Sequence, residues 1–119
     1  MDLFYKPVIL VVDDEIEILG LLSRFLKRQG CEVYTANCLK DGKEQFLNKH
    51  PDYLFLDVNL PDGNGLKSIP DFREIDRDVD IILMSAYNDN EMQFHARELG
   101  VKSFLNKPFT FDEINRIIS

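Results

Sequence analysis

Four short apolar runs in this sequence each lead into polar side chains that could do chemistry. In chain order, the groups that follow these runs are Asp13-Asp14-Glu15, Asp57, Ser85-Ala86 and Lys107-Pro108. Carboxylates, a hydroxyl and an ammonium therefore occur at corresponding places along the chain. Such a set is typical of a site that handles a charged ligand.

Three of these side chains, Asp13, Asp14 and Asp57, are carboxylates that would repel one another if the fold brought them together. At least one of them would take up a proton unless a cation lay among them. A ligand set of oxygen atoms, with no His or Cys beside it, favours Mg²⁺, which prefers few carboxylates together with water and phosphate. The acidic residues therefore predict a magnesium site.

The remaining groups extend this prediction from a metal to a phosphate. Lys107 adds a compact positive charge, Ser85 adds a donor hydroxyl, and the small side chain of Ala86 leaves room beside them. In phosphoryl transfer, charge stabilisation and alignment supply most of the catalysis. We therefore predict a pocket for a phosphoryl group in transfer.

Each group also has an ordinary structural explanation when it is considered alone. The acidic run at Asp13 could complement the positive end of a following helix, and Asp57 could begin a turn. Ser85 could be a helix-entry hydroxyl, and Lys107 could be a solvated surface charge. Their joint occurrence after successive apolar runs is much less expected by chance, so we interpret them as one site.

The elements that must position these groups alternate between strand and helix. The apolar runs suit strands buried on both faces, as in a parallel sheet covered by helices, although run length alone also permits buried helix. They cover residues 8–12, 53–56, 81–84 and 104–105, with a fifth, more alternating segment at 31–35. Right-handed crossovers turn this alternation into a doubly wound α/β fold, for which we predict five parallel strands in the flavodoxin-like order 2-1-3-4-5. The strands then end at one edge, where ligands bind.

Five helices are predicted between and after the strands. The first has helical apolar spacing from Ile18 to Leu26 and ends at Gly30. The others are expected around residues 39–49, weakened by Gly42, around 66–75, around 92–99 and after 110. Pro70 is expected to delay or kink the third helix after Ser68, so its start is left open.

The last helix carries the clearest start signal. Thr110 and Glu113 form a capping-box pattern, and Phe109 can pack onto Ile114 across the first turn. Its core stripe is predicted to consist of Ile114, Ile117 and Ile118.

Composition narrows the class of protein. The chain has 119 residues, 45% of them hydrophobic, with 14 Lys plus Arg against 21 Asp plus Glu and a formal charge of −7. This size indicates one domain, covering residues 1–119. The negative charge and the absence of a basic block disfavour direct nucleic-acid binding by this domain. No apolar run is long enough to span a membrane and no secretory signal precedes the first run, so we expect a cytoplasmic protein.

Several remaining residues are expected to have no functional role. Cys31 and Cys38 form neither a CxxC pair nor a metal-ligand array, so they are expected to be reduced thiols. His50 and His95 lie away from the strand ends and are expected at the surface. Met92 and Phe94, at helical spacing, are expected to pack in the interior.

The motifs taken together resemble the receiver domain of response regulators. VVDDE at 11–15, FLDVNLPDGNGL at 55–66, LMSAY at 83–87 and FLNKPF at 104–109 occur in the order and spacing of that family, and the resemblance covers essentially the whole chain. It implies a domain that accepts a phosphoryl group from the phosphohistidine of a histidine kinase or a histidine phosphotransfer protein. Such a domain catalyses only its own phosphorylation and dephosphorylation, and in other respects is not an enzyme.

The resemblance also implies roles for individual residues. Asp57 would be the phosphoacceptor, and Asp13 and Asp14 would hold Mg²⁺ with Asp57 and the backbone carbonyl of Asn59. Ser85 and Lys107 would contact the phosphate.

Other positions are implied to govern switching and phosphate lifetime. Phe104 matches the aromatic switch position that responds to Ser85, and the Lys107–Pro108 bond matches one that is typically cis. Asn59, Ala86 and Tyr87 would flank the water path to the phosphoryl group, where a bulky Tyr87 would slow hydrolysis. The fourth helix, fifth strand and fifth helix would form an output or self-association surface.

Two other functions fit parts of the pattern. A Mg²⁺-dependent phosphohydrolase of the haloacid dehalogenase type also uses an Asp nucleophile, but its DxD motif is not met where Asp57 is followed by Val58-Asn59. A receiver-like interaction module that is never phosphorylated would not need the complete acidic cluster with Lys107. A flavin-binding protein of the same fold is disfavoured, because no Ser/Thr/Gly-rich loop follows the first strand.

Overall fold

The fold was analysed in a computed structural model that describes residues 5–87 and 89–118. Its main sheet is built from β1 (Val8–Val12), β2 (Glu32–Ala36), β3 (Tyr53–Asp57), β6 (Asp80–Ser85) and β7 (Ser103–Asn106). A short hairpin, β4 (Asn59–Leu60) with β5 (Gly63–Asn64), follows β3. The helices are α1 (Ile16–Arg28), α2 (Leu39–Lys49), α3 (Gly65–Ile75), α4 (Asn90–Glu98) and α5 (Phe111–Ile118).

The main sheet is parallel throughout and has the strand order β2-β1-β3-β6-β7. This is the predicted doubly wound order, with the small hairpin as an addition outside the sheet. The order follows from crossover helices that pass over both faces of the sheet. As a result, β1, β3 and β6 lie side by side in the sheet, with β3 in the middle. These are the strands that lead to the acidic residues and to Ser85.

The strand residues alternate between two hydrophobic cores, one on each face of the sheet. On one face, strand residues such as Leu10 and Leu56 pack with Phe46 of α2 and Phe72 of α3. On the other face, Ile9 and Phe55 belong to the core that α1 and α5 cover. All of these strand side chains are fully buried. Burial on both faces explains why the strands read as continuous apolar runs rather than alternating ones.

The starts of α2, α3, α4 and α5 provide side-chain acceptors for N–H groups that have no partner within the helix, whereas α1 has no such cap. Cys38 Sγ, Asn64 Oδ1 and Asp89 Oδ1 accept from backbone N–H groups of α2, α3 and α4. The predicted capping box of α5 is confirmed: Thr110 Oγ1 accepts from Glu113 N at 3.2 Å, and the Glu113 carboxylate accepts from Thr110 N at 3.3 Å. Gly30, with φ of 89°, follows the end of α1 as predicted.

Pro70 does not delay the start of the third helix, which was one of the two effects expected of it. α3 begins at Gly65 and contains Pro70 in its interior. Pro70 is exposed, whereas Ile69 and Phe72 beside it are completely buried. Packing of these two side chains outweighs the helix interaction that a proline removes, which is worth about 3 kcal/mol.

Two further residues behave differently from their local sequence signals. Gly42 does not interrupt α2, since a Cβ at this position would lie 3.0 Å from Val12 Cγ2, so the helix needs a small residue to approach β1. Met92 packs partly buried against the first core, as expected. Phe94 was expected in the interior, but 61% of its surface is exposed, and its ring contacts His95 edge to face.

The expectations for the cysteines and histidines agree with the structure. Cys31 and Cys38 are both free thiols, and His50 and His95 are exposed. None of the described helices has the length and apolar character needed to cross a membrane.

Candidate functional site

The acidic residues predicted to hold a metal converge at the carboxyl edge of the sheet. Asp13 and Asp14 directly follow β1, and Asp57 is the last residue of β3, which pairs with β1. Carboxylate oxygens of these three residues all lie within 4.8 Å of one another. Asp13 and Asp57 are buried, whereas Asp14 is exposed at the rim. The parallel register therefore produces the cluster that the spacing predicted.

Asp13 has one oxygen fixed and one available. Its Oδ1 accepts from the Glu15 backbone N–H at 2.9 Å, which orients the carboxylate. Its Oδ2 is buried and accepts no hydrogen bond of regular geometry from the described residues, although Lys107 Nζ lies 2.6 Å away. A buried anionic oxygen with only an ionic partner is suited to a hard divalent cation such as Mg²⁺.

Lys107 reaches the acidic cluster from the loop that follows β7. Its Nζ lies 3.5 Å from Asp57 Oδ2 and 3.4 Å from Glu15 Oε1, besides the shorter contact to Asp13. The Lys107 N–H donates to the Ser85 carbonyl at 3.0 Å, which ties the loop to the end of β6. The Lys107–Pro108 peptide bond is cis.

The electrostatics of the cluster follow from burial and crowding. Burial, and then the charge of Asp13, raise the pKa of Asp57 to about 6, although Lys107 and a hydrogen bond from the Asn59 backbone lower it. Burial lowers the pKa of Lys107, but contact with Asp13 and the charges of Asp57 and Glu15 outweigh that effect, so the pKa is raised. Lys107 therefore remains a charged ammonium. The ionised form of Asp57 is disfavoured by burial and by the neighbouring charge of Asp13.

A pocket of about 230 Å³ opens beside Asp57. Its lining residues are Asp14, Glu15, Asp57, Asn59, Ala86 and Lys107. Oxygen atoms and one ammonium surround a small space, and the side chain of Ala86 takes up little of it. The pocket is of a size for a phosphoryl group and a metal ion rather than for an organic substrate.

Comparison with known proteins identifies the family. The response regulator receiver domain family matches residues 9–119. The chain belongs to this family. It is a receiver domain of the kind found in two-component response regulators, with the expected function of phosphorylation on an aspartate.

Individual relatives of this receiver domain differ in length. It is 34% identical over 110 residues to the regulatory protein AtoC of Escherichia coli, covering 92% of this chain and 24% of that protein. It is 30% identical over 106 residues to sporulation initiation phosphotransferase F of Bacillus subtilis, covering 89% and 86%. The chain therefore spans about a quarter of one relative and most of the other.

A similar fold occurs in a response regulator protein from Burkholderia pseudomallei that was crystallised with a phosphorylated aspartic acid, calcium ion and citrate. That structure has a TM-score of 0.88 and 23% identity to the receiver domain, over 96% of this chain and 67% of the other. At this level of identity the match supports the fold.

Ser85 lies at the receiver's carboxyl edge, but its hydroxyl is engaged elsewhere. Its Oγ donates to the Tyr87 carbonyl and accepts from the Tyr87 N–H at 3.0 Å. The side chain is buried. Contact with a phosphoryl group on Asp57 would require the hydroxyl to leave the Tyr87 backbone.

Tyr87 lies outside the pocket lining in this structure, and its predicted shielding of a phosphoryl group stays a prediction. Its side chain is 80% exposed, and it is not among the residues that line the pocket. The Tyr87 ring is therefore largely in solvent, while its backbone is bonded to Ser85. Asn59 and Ala86 do line the pocket, and their predicted influence on the lifetime of the phosphoryl group stays a prediction.

Phe104 is half buried and lies on β7, the strand at one edge of the main sheet. It packs against the core formed with α4, and the Arg97 guanidinium lies 5.4 Å from its ring centroid. Phe104, which was expected to act as a switch residue, therefore contacts α4 through Arg97.

Three residues of the site were missed by the sequence reasoning. Glu15 was read only as part of an acidic run, yet its carboxylate contacts Lys107. Gly65 has no room for a side chain, since a Cβ would lie 2.0 Å from the Asp57 carbonyl oxygen. Asp62 lies in the turn after Asp57 and was given no role, but its carboxylate accepts hydrogen bonds from the start of α2. Gly63 and Gly65, separated by Asn64, were the available signal for close backbone approach in this segment.

Proposed function

We propose that Asp57 accepts a phosphoryl group from a phosphohistidine, with Mg²⁺ held by Asp13, Asp14, Asp57 and the backbone carbonyl of Asn59. The observation that carries this proposal is the convergence of three carboxylates within 4.8 Å of one another, with an ammonium 3.5 Å from Asp57. When bound, Mg²⁺ supplies charge neutralisation for the carboxylates and for the transferring phosphoryl oxygens.

The chemistry of the transfer assigns a task to each residue. A carboxylate oxygen of Asp57 attacks the phosphorus, the new O–P bond forms, and the N–P bond of the donor breaks with its electron pair on nitrogen. The imidazole of the donor takes a proton from solvent. Lys107 and the Ser85 hydroxyl contact phosphoryl oxygens, which stabilises the charge that develops during transfer.

The buried position of Asp57 favours acceptance of the phosphoryl group in this environment. The pKa of Asp57 is raised because its ionised form is unfavourable away from water and next to Asp13. A cation removes that penalty, so metal binding and phosphorylation are coupled. Because Asp57 opens into a pocket of only about 230 Å³, we propose self-phosphorylation and self-dephosphorylation rather than turnover of other phosphate esters.

The output proposed for this domain is a change at the surface of α4, β7 and α5. If the Ser85 hydroxyl turns towards the phosphoryl group, Phe104 can move into the space that it leaves. Arg97 of α4, Arg116 of α5 and Lys102, which directly precedes β7, are exposed, and a partner or a second copy could dock there. The donor would be a histidine kinase or a histidine phosphotransfer protein in the cytoplasm, and no direct nucleic-acid contact is proposed.

Incubation with acetyl phosphate tests this function. With Mg²⁺, the intact mass of the wild type should increase by one phosphoryl group, and with EDTA it should not. Asp57→Asn should remain unmodified under both conditions. Rapid hydrolysis of small phosphomonoesters would instead support the phosphohydrolase alternative, and full modification of Asp57→Asn would contradict the assignment of the acceptor.

A further inference from the structure

The hairpin that follows β3 is anchored at its tip by Asp62. Asp62 Oδ1 accepts from the Leu39 backbone N–H at 2.8 Å, and its Oδ2 accepts from the Lys40 N–H at 2.9 Å. Leu39 and Lys40 are the first two residues of α2, whose N–H groups have no partner within the helix. One carboxylate therefore joins a turn to a helix start 22 and 23 residues away in sequence.

Electrostatics favour the contact between the Asp62 carboxylate and the start of α2. The bonds from Leu39 and Lys40 lower the pKa of Asp62, so it remains ionised at neutral pH. A negative charge at a helix N-terminus is also favoured by the helix dipole. Gly63 fits closely beside it, since a Cβ there would lie 2.9 Å from Leu39 Cδ1.

The same hairpin carries a residue of the site at its other end. Asn59 pairs with Asn64 across the hairpin, and its backbone N–H donates to the Asp57 carboxylate. At the base, Gly65 N donates to the Val58 carbonyl at 2.7 Å. A hairpin of two residue pairs is not stable by itself, so contacts from outside must fix its direction.

We propose that Asp62 is a positioning residue for the metal site: by holding the hairpin tip on α2, it fixes the Asn59 backbone beside Asp57. This inference rests on the proposed function, because it concerns the magnesium site of that proposal. Asp62 itself does not touch the metal or the phosphoryl group. Its effect passes through the hairpin backbone, in the way that outer residues orient the ligands of a metal.

Substitutions in the full chain separate this role from general stability. Asp62→Ala removes both anchoring bonds, and Asp62→Asn keeps an acceptor for one of them. Asp71→Ala is the matched control for a surface acid next to α2, because Asp71 of α3 pairs with Lys43 of α2 at 2.7 Å. Cys38→Ala removes the acceptor for Asp41 N at the same helix start, and so controls for fraying of α2.

The Kd for Mg²⁺ is measured by amide shifts in NMR at fixed ionic strength, on samples that urea titration shows to be folded. We expect Asp62→Ala to raise the Kd roughly tenfold, Asp62→Asn to raise it less, and both controls to stay within about twofold of the wild type. Without metal, hydrogen exchange at the Asn59 amide should be faster in Asp62→Ala than in Cys38→Ala.

Two different failures are distinguishable. If the wild type binds Mg²⁺ and Asp62→Ala binds it equally well, the positioning role is wrong while the proposed function stands. An equal rise in Kd for Cys38→Ala would also overturn it, since fraying of α2 would then explain the effect. If the wild type binds no Mg²⁺, the proposed function itself is contradicted and this inference is overturned with it.

Discussion

The Lys107 ammonium lies 2.6 Å from the Asp13 carboxylate, closer than its 3.5 Å distance from Asp57. The sequence assigned Asp13 to the metal and Lys107 to the phosphate as separate roles. In the structure the two are ion-paired, so a metal at Asp13 and the ammonium compete for the same oxygen. Binding of Mg²⁺ is therefore expected to release Lys107 towards Asp57.

Replacing Lys107 should consequently separate metal binding from phosphorylation. Lys107→Ala removes the competing charge, so we expect Mg²⁺ affinity equal to or higher than that of the wild type. Loss of the ammonium from the transferring phosphoryl group should slow modification by acetyl phosphate roughly tenfold or more. Lys102→Ala, which removes an exposed charge at the start of β7, is the control. A Lys107→Ala protein with weaker Mg²⁺ binding would contradict the competition.

The raised pKa of Asp57 predicts a pH effect on the metal-free protein. The pKa is 3.8 without perturbation and about 6 in the fold, so the unfolded chain binds fewer protons between these values. Stability from this group is present below pH 4 and is lost as the pH rises through about 6. In EDTA, the stability of the wild type relative to Asp57→Asn should fall by about 2 kcal/mol between pH 4 and pH 7.5.

Urea unfolding of the two proteins at both pH values measures this difference. Mg²⁺ at pH 7.5 should restore most of the lost stability of the wild type and much less of that of Asp57→Asn. A stability difference that is independent of pH would show that Asp57 is not a strained carboxylate.

The hydroxyl of Ser85 provides a test of the link between the pocket and the output surface. Ser85→Ala cannot make the two bonds to the Tyr87 backbone, nor can it follow a phosphoryl group. With Mg²⁺ and beryllofluoride, wild-type amide shifts should change first around Asp57 and then around Phe104 and Arg97. In Ser85→Ala the pocket should still respond while the second group stays silent, and Ser103→Ala should behave like the wild type. Full transmission in Ser85→Ala would locate the switch elsewhere.

Arg73, on α3, binds the backbone at the end of α4. Its guanidinium donates to the carbonyls of Leu99, Gly100, Val79 and Arg77, the shortest bond being 2.5 Å to Val79. Arg73→Ala should lower the free energy of unfolding by about 2–3 kcal/mol, since several carbonyls lose a charged donor. It should also speed hydrogen exchange at the Val101 amide, which bonds to Ala96. Arg77→Ala, an exposed neighbour, should cost less than about 0.5 kcal/mol; equal losses would contradict the clamp.

The features predicted correctly from the sequence are those that follow from local sequence patterns and from the position of residues at strand ends. The run at Val8–Val12 is a strand with those bounds, the capping box at Thr110 forms, and the four strand-end groups meet at one edge. These features depend on local pattern and on the single rule that parallel strands end together. They could therefore be read without knowing any tertiary contact.

The features that the sequence did not predict depend mostly on contacts between residues that are distant in sequence. Pro70 is tolerated because Ile69 and Phe72 are anchored in the core, and Phe94 is exposed because the α4 face that packs uses Met92 and Ala96 instead. Asp62 meets α2 only after the chain has folded over β3. The direction of the Ser85 hydroxyl is set by its two hydrogen bonds to the Tyr87 backbone, which residue types do not specify.

The central claim is that Asp57 is the phosphorylated residue, and chemical trapping tests it most directly. The protein is incubated with acetyl phosphate and Mg²⁺, and borohydride then reduces any aspartyl phosphate to homoserine, which peptide mass spectrometry locates in the sequence. The account predicts homoserine at position 57, dependent on Mg²⁺ and absent from Asp57→Asn. Homoserine at Asp13 or Asp14, or its absence at position 57 in a protein that has bound Mg²⁺, would contradict the account.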